Sequence, residues 1–233
     1  MKISLLIPTL NEINGMKEVM PRVKKEWVAQ IIVVDGGSTD GTVEYARQNG
    51  CLVISQKKKG IRNAYMEILE HIIGDVVITF SPDGNCIPEI IPILVEKMRE
   101  GYDMVIASRY AKGAKSYDDD FLTAFGNWFF TSLVNLLYHA HYTDVMGIYR
   151  AYKKRLIYDL GLDKDDGYVM AERIFKTNIS WEPLLSVRAA KRRLRVLDIP
   201  ADEPARIGGE RKLQVFKWGA AYLFQIVREF FIR

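Results

Sequence analysis

Cysteine is scarce in this chain: 233 residues hold two, Cys51 and Cys86. Neither stands at metal-ligand spacing, so a disulfide framework and a cysteine-based metal site are excluded and a reducing cytosol is the expected setting. Histidine is nearly as scarce, and His71, His139 and His141 show no ligand spacing; they read as structural. No Gly-x-Gly-x-x-Gly opens the first helix, which removes a dinucleotide oxidoreductase. The apolar part of the first eight residues is too short for a secretory signal and reads as a strand. Internal repeats and low-complexity tracts are absent too.

What is present fits a globular domain with a sizeable core: 48% apolar and 27% charged residues are ordinary values. The net charge of +4 is concentrated, because residues 188–217 hold nine Lys/Arg against four Asp/Glu. Such a segment is either a solvated face or a site for an anionic partner. Phosphate and acidic lipid are the partners retained; nucleic acid is not expected.

The first half alternates. Short β-branched runs at 2–7, 31–35, 51–54, 75–80 and 103–107 are separated by helix-like stretches near 13–27, 40–49, 60–73 and 88–100. That alternation argues βαβ units and a mostly parallel, doubly wound α/β sheet. Strand interiors apolar at consecutive positions imply cover on both faces. Pro88-Glu89 supplies a first-turn proline and an acid at a positive helix end.

The second half differs. Residues 111–120 (AKGAKSYDDD) predict a polar, mobile loop. Phe121–Thr143 then runs 23 residues without Asp, Glu, Lys or Arg, long enough to span a bilayer. Thr123, Asn127, Thr131, Asn135 and His139 recur every fourth residue, however, as a polar stripe on an apolar helix. A helix in a membrane interface, or packed on the sheet, fits better than a span. The segment 216–233 reads as a C-terminal amphipathic helix. It either packs on its own domain, joins a second copy in a homo-oligomer, or rests on anionic lipid.

Three strand tips carry candidate chemistry: Pro8-Thr9-Leu10-Asn11-Glu12, Asp35-Gly36-Gly37-Ser38-Thr39-Asp40, and Phe80-Ser81-Pro82-Asp83-Gly84-Asn85. All fall at the carboxyl edge of the expected sheet, where open α/β sheets bind ligands. Asp83 in a Pro/Gly turn has two readings, a turn residue bonding its own backbone or the anchor of a site. The first tip is not the glycine-rich loop that a sugar nucleotidyltransferase needs.

Taken together, IPTLNE, VVDGGSTDGT, Lys59-Gly60, GDVVITFSPDGNCIPE, VIASRY at 105–110 and TDVMGIYRAY at 143–152 resemble a family 2 glycosyltransferase, nearest the polyprenyl-phosphate (dolichyl-phosphate) hexosyltransferases. The matches run from residue 3 to about 215. The resemblance implies a GT-A fold and a nucleotide-diphosphate sugar as donor, carried on UDP, GDP or dTDP. It divides the chain into a nucleotide-sugar half (1–110), an acceptor-side half of the same domain (111–215) and the terminal helix (216–233). Pro8, Thr9, Asn11 and Glu12 match the first-strand motif, Asp35 the acid that contacts the nucleoside, and Ser38, Asp40 and Lys59 its neighbours.

FSPDGN aligns with the family's Asp-x-Asp segment, so Asp83 is expected to be a catalytic carboxylate that holds Mg²⁺ or Mn²⁺ against the donor diphosphate, with Asn85 adding a carbonyl. Such hard cations favour oxygen ligands and neutralise a departing diphosphate. The first Asp of the pair is Ser81 here, which predicts weaker metal binding, a site completed by the donor's phosphates, or basic side chains in the metal's place. Arg109 of Ser108-Arg109-Tyr110 and Arg206 of RIGGERKL match family arginines and are expected to hold an acceptor phosphate, with Arg211 and Lys212 beside them. Asp144 matches a position near the acceptor, as a base or as part of the wall.

The implied reaction is inverting displacement at the anomeric carbon. Its acceptor is a polyprenyl phosphate, with a saccharide hydroxyl in envelope polysaccharide assembly as the alternative. A non-catalytic nucleotide-sugar sensor is the third reading. A cytoplasmic protein at the inner face of the membrane is the matching location.

Overall fold

The computed structural model describes residues 1–208 and 215–232. The first half builds β1 (Ile3–Thr9), α1 (Ile13–Val19), β2 (Gln30–Asp35), α2 (Thr42–Gln48), β3 (Leu52–Ser55), α3 (Ile61–Glu67), β4 (Val76–Thr79), α4 (Ile91–Arg99) and β5 (Met104–Ser108). The second half adds α5 (Phe121–Tyr138), β6 (Arg150–Lys153), α6 (Leu156–Asp159), α7 (Val169–Phe175), α8 (Glu182–Lys191), β7 (Val196–Pro200) and α9 (Val215–Phe231). The strands form one sheet in the order β3-β2-β1-β4-β6-β5-β7.

Side chains alternate across the pleat, so each central strand feeds two cores. Leu6 joins Ile32, Val34, Val77 and Ile106 under α8 and α9, whereas Leu5 and Ile7 pack with Met16 of α1 and Leu94 of α4. The continuous apolar runs therefore reflect two covered faces. β1, β2, β3 and β4 pair in parallel.

The sequence reading did not include β6 or β7. β6 enters antiparallel between β4 and β5, and β7 extends the edge parallel to β5. Its buried Arg150 disguises β6. That guanidinium is satisfied internally, with Nε donating to Gly147 O at 2.8 Å, Nη1 to Ser186 Oγ at 2.9 Å and Nη2 to Val145 O at 3.2 Å.

α5 turns the middle of its polar stripe inward. Asn127 and Thr131 are buried and Asn135 exchanges hydrogen bonds with the Tyr142 backbone. Phe121, Phe125, Trp128 and Leu136 point outward, Phe121 at 88% exposure. Among the described residues, no helix is long and apolar enough to cross a membrane. α9 packs on its own domain through Ala221, Tyr222 and Ile226 and is clamped by Glu229, which accepts from Arg188 at 2.8 and 3.1 Å.

The 111–120 loop is pinned. Lys115 N–H donates to Asp202 at 2.8 Å and Tyr117 N–H to Glu203 O at 2.8 Å, replacing the expected mobility with a strand-like seam.

Candidate active site

The carboxyl ends of β1, β2 and β4 open on a cleft of about 1020 Å³. Its wall includes Pro8, Thr9, Glu12, Lys59, Asp83 and Arg109, drawn from tips more than a hundred residues apart in sequence. The first two tips are knitted together by Asn11. Its N–H donates to Ser38 Oγ at 2.8 Å and its Oδ1 accepts from Thr39 N–H at 2.8 Å. This fixes Asn11 at φ 58, a left-handed conformation that Asn adopts more readily than most residues.

Asp35 is buried, and its carboxylate accepts from the Gly37 and Ser38 amides at 2.9 and 3.0 Å. It therefore shapes the loop whose Gly36 and Gly37 face the cleft. Asp40 does likewise, accepting from Ile13 N–H at 3.0 Å and from Thr42 N–H at 3.0 Å. Burial opposes its charge, but the Thr42 and Ile13 hydrogen bonds prevail and lower its pKa. Asp35 thus acts on the cleft through the Gly37 amide it holds, whereas Asp40 fastens the starts of α1 and α2 to each other.

Asp83 is 5% exposed and has both turn and site character. Its Oδ1 accepts from Asn85 N–H at 3.1 Å, the turn chemistry, while Oδ2 pairs with Arg206 Nη1 at 3.1 Å. Arg206 also reaches Asp118 Oδ2 at 3.7 Å. Asn85 Nδ2 donates to Asp118 Oδ2 at 3.0 Å, and Asn85 Oδ1 is buried without a hydrogen-bond partner among the described residues. The turn sits tightly on α1, for a Cβ on Gly15 would lie 2.2 Å from Pro82 O and 2.8 Å from Asp83 Cα.

These residues fit a divalent cation. Asp83 and Asp118 are brought within reach of one positive group, beside the unsatisfied carbonyl of Asn85, and all three offer hard oxygen donors. Among the described residues, no group of three or more His, Cys, Asp or Glu is placed to hold a metal ion by itself. Water would therefore complete the shell, as Mg²⁺ commonly accepts.

Arg109 departs from expectation. The guanidinium meets Asp144 side-on and donates Nη1 to Asp119 at 3.2 Å and to Glu203 at 3.3 Å. Tyr110 Oη also bonds Asp119. The fork expected to be open for an acceptor phosphate is thus closed by three carboxylates. Burial works against the Arg109 charge, yet Asp144 outweighs it and raises the guanidinium pKa. Asp144, fully buried, is lowered by that guanidinium despite its burial, and it stands behind Arg109 rather than among the residues that line the cleft. Arg206 keeps a partly exposed fork on the cleft. Arg211 and Lys212 lie outside the described residues.

Asp118, Asp119 and Glu203 were missed by sequence reasoning. The only signal was the acidic run at 118–120 close behind Ser108-Arg109-Tyr110, and it reads equally well as a solvated loop. Glu182 was missed as well. It is buried on the cleft wall and its carboxyl is pushed up to about 7 by burial, against the pull of Arg150.

Comparison with known proteins places this geometry. Residues 4–161 match the sequence profile described as Glycosyl transferase family 2. The chain is 27% identical over 231 residues to "Glycosyltransferase AglJ" of Haloferax volcanii, covering 97% of this chain and 71% of that protein. It is 29% identical over 228 residues to a "Dolichyl-phosphate hexose transferase" of the same organism, covering 97% and 92%. Among solved structures it resembles glucosyl-3-phosphoglycerate synthase from Mycobacterium tuberculosis in complex with Mn²⁺, UDP and phosphoglyceric acid. The TM-score there is 0.64 at 20% identity, covering 100% of this chain and 79% of that one; at that identity the likeness concerns the fold alone.

Proposed function

The chain belongs to glycosyl transferase family 2, and from that premise we propose that it moves a hexose from a nucleotide-diphosphate sugar to a polyprenyl phosphate. It is a glycosyltransferase near the dolichyl-phosphate hexosyltransferase branch. The donor and acceptor are our reading. One observation carries it: the cleft that begins at the nucleotide loops is also lined by Leu122 and Phe130 of α5 and Trp218 of α9, the two helices whose outward faces are apolar. A phosphate head in the cleft would leave its prenyl tail next to that face, at the cytoplasmic side of a membrane on which the helices rest.

In this reading Pro8, Thr9, Glu12, Lys59 and the Gly36-Gly37 backbone border the nucleotide, within the 1–110 half. The 111–215 half supplies the acceptor side and the 216–233 helix the lipid-facing element. Mg²⁺ or Mn²⁺, held by Asp83 with Asn85 and Asp118, would neutralise the departing diphosphate. An acceptor oxygen attacks the anomeric carbon opposite the diphosphate. The new C–O bond forms as the bond to the diphosphate breaks, with inversion.

The state of Asp144 favours a phosphate acceptor over a saccharide hydroxyl. A phosphate oxygen is already anionic and needs no base, and Asp144 is held ionised by Arg109, out of solvent. The remaining work is positioning. The test is turnover of UDP-, GDP- and dTDP-hexoses with and without Mn²⁺, and with and without a short polyprenyl phosphate. Metal-dependent transfer to the lipid phosphate, lost in Asp83→Ala, is expected. Transfer to a saccharide hydroxyl alone, or donor binding without turnover under every condition, overturns it.

A further inference from the structure

We propose that Arg206 and the divalent cation contend for the same carboxylates, so that cation binding unclasps the segment after β7 from the Asp83 turn. This rests on the reading of Asp83 as a metal-binding carboxylate and adds an internal competitor to it.

The clasp has four parts. Arg206 Nη1 lies 3.1 Å from Asp83 Oδ2, and Nη2 lies 3.7 Å from Asp118 Oδ2. The Arg206 N–H donates to Asp118 Oδ1 at 3.3 Å, and the next amide, Ile207 N–H, donates to Asp83 O at 2.8 Å. Ile207 then lies flush on Gly84, where a Cβ would come within 2.6 Å of its Cγ1. Gly84 itself has φ +96, a conformation that side chains disfavour. The turn is thus shaped to receive this segment.

The arginine is an incomplete occupant. It meets both carboxylates but leaves Asn85 Oδ1 without a partner among the described residues, although Asn85 Nδ2 already ties that amide to Asp118. A dication takes carboxylate and amide-carbonyl oxygens alike, and it concentrates twice the charge that a guanidinium spreads over a plane. Two positive groups do not share Asp83 Oδ2 without repulsion, so one must yield. Linkage makes the effect reciprocal: the factor by which Arg206 weakens the cation is the factor by which the cation weakens the clasp. Arg206, once released, remains on the cleft wall with its fork available to a phosphate. The residue that would bind an acceptor is thereby withheld until the metal is in place.

The experiment measures Mn²⁺ alone, with no donor or acceptor, by the paramagnetic resonance signal of the free ion. The proteins are wild type, Arg206→Ala, Arg206→Lys and Asp83→Ala. A side chain that only supported the fold would weaken binding when removed. Contention predicts the reverse, with Arg206→Ala binding Mn²⁺ about fivefold or more tightly and Arg206→Lys in between. Hydrogen exchange at the Ile207 amide should quicken when Mn²⁺ is added to wild type. Unchanged or weaker affinity in Arg206→Ala, with binding still lost in Asp83→Ala, overturns the contention and leaves the metal site standing. Mn²⁺ affinity unaffected by Asp83→Ala, or no binding in any of the four, overturns the metal reading and this inference with it.

Discussion

The Arg109 guanidinium lies side-on to the Asp144 carboxylate, with Nε 2.7 Å from Oδ2 and Nη2 3.1 Å from Oδ1. Asp144 is fully buried and also accepts from the Gly147 amide at 2.9 Å. Removing one charge of such a pair strands the other, at about 3–5 kcal/mol. Asp144→Asn should lose stability of that order in urea unfolding at pH 7. The Asp144 pKa is lowered by Arg109 in spite of burial, so its contribution is complete above the ordinary carboxylate range and fades as pH falls through the lowered value. The gap between wild type and Asp144→Asn should therefore begin to narrow below about pH 4 and close only below the lowered value.

Glu182 has the opposite sign. Burial raises its carboxyl from 4.5 to about 7. Between those values the unfolded chain releases a proton that the folded chain keeps, so wild type loses stability as pH rises through that window. Glu182→Gln has no proton to lose. Relative to wild type it should gain up to about 3 kcal/mol between pH 4.5 and pH 8, read from denaturant midpoints. A gap independent of pH would show that the carboxyl titrates normally.

Gly15 fixes the height of the Asp83 turn. Both atoms that a Cβ would strike are backbone, Pro82 O and Asp83 Cα, so Gly15→Ala must push the turn away from α1. A loss of about 1–3 kcal/mol is expected, together with a fall in transfer rate of about a hundredfold, because a displacement near 1 Å at a reacting group costs that much. Thermal melting and steady-state rates on one preparation separate the two effects.

Phe125 and Trp128 are 50% and 61% exposed and form a tilted ring pair with centroids 5.6 Å apart. Paired Ser substitutions there should leave thermal stability within about 0.5 kcal/mol. They should cut co-sedimentation with anionic phospholipid vesicles about tenfold or more, given the apolar area removed from contact. Equal sedimentation of variant and wild type would move the membrane contact off α5.

The order of the N-terminal elements was legible because each strand there carries consecutive apolar residues and turn residues separate it from the helix that follows. Strand β6 was not. A buried arginine looks like a surface residue until the Gly147, Val145 and Ser186 oxygens that satisfy it are in place, and those come from other parts of the chain. The periodicity of α5 was visible but its facing was not. Hydrophobic patterning shows that a helix has two sides; burial of Asn127 and Thr131 depends on what the second half of the chain places beneath it. Within the site, the three strand tips could be read locally. The closure of Arg109 could not, since its partners Asp119, Asp144 and Glu203 are distributed over residues 119–203 and meet only after folding.

The sheet order has a further consequence for how the molecule can be divided. Among the described residues, strand β5 pairs only with β6 and β7, both synthesised after it. A fragment ending at residue 110 would keep β1 to β4 paired but leave β5 without a neighbour, and the Asp83 turn without Asp118 and Arg206. The two halves are therefore not separable modules. Expressed apart, neither should bind nucleotide, and activity should return only when the complementary fragments are folded together.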